Sequence, residues 1–160
     1  MTKFSFFSKK LCLPAGVIKA LELIRDHRKP LKTSKRQAIA VIINCGFPET
    51  QHNVVAAAIC KIFARDVGFE WKGALTLGMG SAFGRKTLEE RGGMVRNVIK
   101  GFDIAAAALT KGEMIPEEAI ELVGKKFMPY SLYTKMVNLF WNLRAKKFDA
   151  RKKIKDRPYL

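Results

Sequence analysis

Cys45 and His52, a thiol and an imidazole seven residues apart on either side of a turn, are the first residues in this chain with the types and spacing for chemistry. A thiolate beside a base is a nucleophile, so the pair admits a nucleophile–base reading if the fold brings the two together. No third group that would orient the histidine is identifiable, and an ordinary strand-end thiol followed by a helix-start histidine has the same spacing. Gly78, Gly80 and Gly84 make a second candidate, a glycine turn behind an apolar run. Its third glycine comes one place late for the dinucleotide fingerprint, and no acid stands where that motif needs one. Such a turn either lets a phosphate or flavin approach the backbone closely or is simply a flexible loop. The paired acids Glu89-Glu90 and Glu117-Glu118 read as solvated charges of a loop and a helix start. Cys12, Cys45 and Cys60 are scattered, with no CxxC and no Cys/His cluster, so no metal site is expected. They read as reduced thiols acting as small hydrophobes.

The elements that must position these residues are legible from periodicity. Residues 38–44, AIAVIIN, form a continuous apolar run that reads as a parallel strand covered by helices on both faces. It stops at Asn44-Cys45-Gly46-Phe47-Pro48, and a helix pattern starts near Gln51. Residues 71–77 predict a second strand, running into Gly78-Met79-Gly80. Strand, turn, helix, strand, turn is the α/β rhythm, and ligands of such sheets sit beyond the carboxyl ends of the strands. Val17, Ala20, Leu21 and Ile24 outline an earlier helix ending near Arg28, followed by a polar linker over residues 29–37. Residues 4–7 are a short strand candidate. A long helix is expected from Met94 to about Leu109, closed by Lys111-Gly112, and another after Pro116.

Composition bounds the rest. A chain of 160 residues with 48% hydrophobic content and a mean hydropathy near zero is a single globular domain. No apolar run nears the roughly 20 residues of a spanning helix, and Lys9-Lys10 interrupt the N-terminal apolar residues, so cytoplasmic residence is the expectation. The net charge of +16 sits at the two ends. Residues 1–36 hold ten Lys/Arg against two acids and residues 125–160 eleven against two, whereas residues 37–124 hold nine against ten. Basic flanks of this kind attract polyanions. In the C-terminal flank, nine apolar and aromatic residues crowd between Tyr130 and Leu143 ahead of a basic run. That segment has three readings: packing on the domain or a second subunit, lying on an anionic membrane, or binding nucleic acid.

Beyond these signals, residues 13–22 (LPAGVIKALE), residues 44–49 (NCGFPE) and the glycine turn from Gly78 to Gly84 resemble the flavodoxin-like, NAD(P)H-dependent oxidoreductases of the FMN reductase type. The likeness extends to Gly93-Met94-Val95-Arg96-Asn97, Ile115-Pro116-Glu117-Glu118 and Arg157-Pro158-Tyr159, covering about residues 12–160. It implies a flavodoxin-like three-layer parallel sheet with FMN at the carboxyl ends of its strands and NAD(P)H as electron donor. Asn44, Cys45, Gly46, Phe47 and Pro48 would lie near the isoalloxazine ring, and Gly78, Met79 and Gly80 would come from the next loop. Family members begin with an apolar strand and a Ser/Thr/Asn-rich phosphate loop. This chain shows neither, so it reads as the fold's C-terminal part, truncated at the N-terminus, with residues 4–7 as a remnant strand.

The expected layout is a partial flavodoxin-like α/β domain over residues 1–124, with an aromatic and basic helical extension packing on it over residues 125–160. An open strand edge in such a half-sheet favours pairing, either as a homo-oligomer or with a separately encoded N-terminal half. The functional expectation is a flavin oxidoreductase homologue with impaired or partner-dependent FMN binding. The alternative is a non-catalytic module that binds polyanions through its basic ends.

Overall fold

Residues 38–43 hold four β-branched side chains, Ile39, Val41, Ile42 and Ile43, which favour an extended backbone. In the computed structural model they lie in strand β1 (Ala38–Asn44), which pairs in parallel with β2 (Glu70–Leu77). The structure describes residues 13–28, 37–83, 87–153 and 156. Residues 4–7, Cys12, Gly84, most of the 29–37 linker and the Arg157-Pro158-Tyr159 motif lie outside the described residues. Among the described residues the class is α/β with a two-stranded parallel sheet.

Among the described residues five α-helices accompany it: α1 (Ala15–Arg28), α2 (Val54–Asp66), α3 (Arg96–Thr110), α4 (Glu117–Gly124) and α5 (Tyr130–Lys147). The crossover α2 meets both strands through a stripe of small residues, Ala56, Cys60 and Ala64, spaced four apart. That spacing keeps them on one face, and their size lets the helix approach the sheet closely. Burial pushes the Cys60 thiol above its ordinary value, as expected of a structural rather than a reactive cysteine. On the other face of β2, Leu75 and Leu77 form the main core with Val98 and Ala105 of α3 and Ala119 and Val123 of α4. Lys72 is the extra residue of a bulge between the Ile39 and Ala40 pairings. Lys72 is 7% exposed, and its ammonium is held by Glu70 at 2.7 Å and by the Gly112 carbonyl.

Several boundaries move from their expected places for local reasons. The helix after the first turn opens with a 3-10 turn, Thr50–Asn53, because the Asn53 side chain is bonded to strand carbonyls rather than exposed. A second 3-10 stretch, Glu89–Val95, precedes α3, with Gly92 at φ +57° breaking the helical path. The larger difference concerns β1, expected to be covered on both faces. Ile39, Val41 and Ile43 are half-buried, while Ile42 on the opposite face is 65% exposed. Helices α3 and α4 lie over β2 and leave the Ile42 face of β1 open. Between them runs an open apolar groove of about 390 Å³, lined by Ala40, Ile42, Leu75, Phe102, Ala106 and Leu109 among others. Among the described residues, β1 pairs with β2 alone.

The aromatic C-terminal segment is a single helix, α5, entered from Pro129. Its first half packs on the loop after β2, where Tyr133 joins Met79 and Ala82, and Phe127, Met136 and Val137 close around them. Beyond Val137 the large apolar residues are exposed. Among the described residues no helix is long and apolar enough to cross a membrane.

Candidate functional site

Each strand ends in a turn, and the two turns lock together. The Cys45 amide donates to the Leu77 carbonyl at 3.0 Å, the Met79 amide to Phe47 at 2.7 Å and the Gly80 amide to Cys45 at 2.8 Å. This ladder extends the pairing of β1 with β2 past the strand ends. The glycines of the second turn exist for this contact. A Cβ on Gly78 would stand 2.7 Å from the Pro48 carbonyl oxygen, and one on Gly80 2.3 Å from the Asn44 side chain. Between them Met79 takes the left-handed backbone at φ +59°, which costs a non-glycine residue about 1–2 kcal/mol. Its side chain, 1% exposed, is buried against Tyr133 and offsets that strain.

Two side chains from outside the turns brace them. Asn53, 3% exposed, donates from Nδ2 to the Leu77 carbonyl at 3.1 Å and the Ile43 carbonyl at 3.4 Å. Tyr133 donates its hydroxyl to the Gly46 carbonyl, joining α5 to the first turn across 87 positions of sequence. Neither residue stood out in the sequence. An asparagine at a helix start and a tyrosine among other aromatics carry no local sign of what they touch.

The structure therefore brings all eight candidate residues together and sorts them. Asn44, Gly46 and Phe47 are exposed, and Cys45 and Gly80 are half-buried. Pro48, Gly78 and Met79 are buried behind them. Cys45 directs its thiol at the carbonyls of Phe47 and Glu49, 3.5 and 3.7 Å away. His52 stacks obliquely on Phe47, with ring centroids 5.1 Å apart, and sets Nε2 3.6 Å from a Glu49 carboxylate oxygen. Among the described residues no hydrogen bond joins Cys45 to His52. The nucleophile–base reading thus has no geometric support; both groups serve the turn.

The paired acids are where solvated charges belong. Glu90 accepts from the Thr87 amide at 2.8 Å, the Glu89 carboxyl is held below its usual range by its own backbone amide and the Thr87 hydroxyl, and Glu118 pairs with Lys100 at 3.2 Å. Nearby, Arg91 donates through Nη2 to the Phe83 carbonyl. Among the described residues no group of three or more His, Cys, Asp or Glu side chains is placed to hold a metal.

A flavin would make two demands on this end of the sheet. Its ring needs a narrow turn with an apolar edge, which Gly46 and the exposed Phe47 present. Its phosphate needs a cradle of backbone amides, and the second turn is a poor one. The amides of Met79 and Gly80 are already bonded to the first turn, and the space beside both glycines is filled by it. A phosphate therefore finds no free cradle at the second turn among the described residues. Comparison with family models, with curated proteins and with solved structures finds no match to this chain.

Proposed function

We propose that this chain is a homologue of the flavodoxin-like, NAD(P)H-dependent FMN oxidoreductases, holding the ring end of the flavin. One observation carries the reading: parallel strands with their carboxyl-end turns locked into one exposed ledge, where α/β sheets place ligands. Asn44, Gly46 and Phe47 would face the ring, with Cys45 beside them. Pro48, Gly78, Met79 and Gly80 would set the shape of the ledge from behind. When bound, the flavin supplies two-electron transfer from NAD(P)H; the protein supplies position.

The phosphate then calls for donors beyond those of the ledge, on a strand added to the edge of β1 that is unpaired among the described residues, in a larger three-layer sheet. A separate N-terminal half would supply both the strand and the donors, whereas a second copy would only pair with the strand edge, so flavin affinity depends on a partner. Amide chemical-shift mapping of the purified chain with millimolar FMN tests the ledge. Shifts centred on residues 44–48 support the reading, and shifts elsewhere or none reject it. Flavin fluorescence titration tests the partner requirement, which falls if the chain alone binds FMN at micromolar affinity or tighter. Light scattering on the same sample would show a dimer or larger species if copies pair through β1.

A further inference from the structure

Independently of the flavin reading, we propose that the distal half of α5 and the turn that follows it form a docking surface for an anionic lipid bilayer. Helix α5 is held to the protein by Tyr133, Met136 and Val137. After Val137 the same helix carries Leu139, Phe140, Trp141 and Leu143, followed by Phe148, each between 55% and 67% exposed. Leu139 and Leu143 are one turn apart. Trp141, Ala145 and Phe148 follow at helical spacing and line an open apolar recess of about 240 Å³ with Arg144 and Ala150. At 100° per residue these side chains span a broad arc rather than a narrow seam.

The cations stand in the same stretch. Arg144, Lys146, Lys147, Arg151, Lys152 and Lys153 are all exposed, against one acid, Asp149. Among the described residues none of the six pairs with a carboxylate. Arg144 instead lies over the Trp141 ring, 5.9 Å from its centroid.

Charge and side-chain type select the occupant. A second copy would bring the same six cations to face these six, in a protein already at +16. Nucleic acid would satisfy the charge and could stack on Phe140 or Trp141, but it gives Leu139 and Leu143 nothing to bury against. A bilayer with acidic headgroups satisfies both. Leucines and aromatic rings enter the headgroup–acyl boundary, tryptophan is favoured there, and long basic side chains reach the phosphates on flexible apolar stems. No spanning helix is required: α5 lies in the interface and the α/β domain stays in water.

Co-sedimentation of the full chain with large vesicles tests this, comparing phosphatidylcholine alone with phosphatidylcholine containing about 30% phosphatidylserine. Expected is at least about tenfold stronger partition onto the anionic vesicles, weakened by salt. The double variant Leu139→Ser/Leu143→Ser should lose about tenfold of it, and Lys146→Glu/Lys147→Glu should lose the preference for phosphatidylserine. Both alter only exposed side chains, and unchanged thermal unfolding will show that each is folded. Equal partition onto both vesicles, or none, overturns the proposal. So does a leucine variant that binds like the parent, since diffuse charge attraction would then account for binding. Retention on single-stranded DNA without vesicle pelleting reassigns the surface to nucleic acid. A dimer abolished by the leucine variant, again without pelleting, reassigns it to self-association.

Discussion

The carboxyl ends of β1 and β2 and the distal half of α5 are similar in raw material. One holds Phe47, Pro48, Met79 and Tyr133; the other holds Phe140, Trp141, Leu143 and Phe148. In the first, Pro48, Met79 and Tyr133 are buried and backbone amides are bonded in a ladder across two turns. In the second, the helix satisfies its own backbone and the side chains extend into solvent beside exposed cations. The difference lies in partners rather than in composition. A turn satisfies only some of its own amides, so the rest need water or another segment. A helix satisfies most of its own, so it remains intact with a bare apolar surface until something covers it.

That contrast can be broken most sharply at Gly78. Gly78→Ala places a methyl group 2.7 Å from the Pro48 backbone, which cannot swing aside, and about 3 kcal/mol of unfolding free energy should be lost in urea titration. Gly80→Ala should be milder, because its obstacle is the Asn44 side chain, and the second change Asn44→Ala should restore part of the loss. Asn53→Ala comes next, at about 2 kcal/mol by the same titration, since it strips a donor from the carbonyls of Leu77 and Ile43. Tyr133→Phe removes only the hydroxyl on Gly46 and should cost about 1 kcal/mol, with faster amide exchange at residues 46–48 as its local sign. Leu143→Ser, in the exposed half of α5, should stay within about 0.5 kcal/mol of the parent. A large loss there would mean that the distal helix is packed, and the contrast would fail.

Much of the fold was legible because its signals are local. Four β-branched residues within 38–43 mark β1, Pro116 stands at the start of α4, and the helix ending at Arg28 follows from its apolar spacing. The candidate ledge was legible as two separate turns. Their union was not, because Gly78 meets Pro48 across thirty positions and Tyr133 meets Gly46 across 87. The uncovered face of β1 was misjudged for the same reason. An apolar Ile42 says that a cover is favourable, while the path of α3 over β2 decides whether there is one.

By itself the sequence determined where the chain is extended, where it coils, where it turns and where its charge lies, since these follow from side-chain shape and near-neighbour spacing. The tertiary structure alone decided that Gly78 and Gly80 pack against the first turn, and that no hydrogen bond joins Cys45 to His52 among the described residues. It also left half of α5 bare. Each of these depends on which distant group arrives within a few ångströms, and contact at that range is a property of the folded backbone rather than of any one segment.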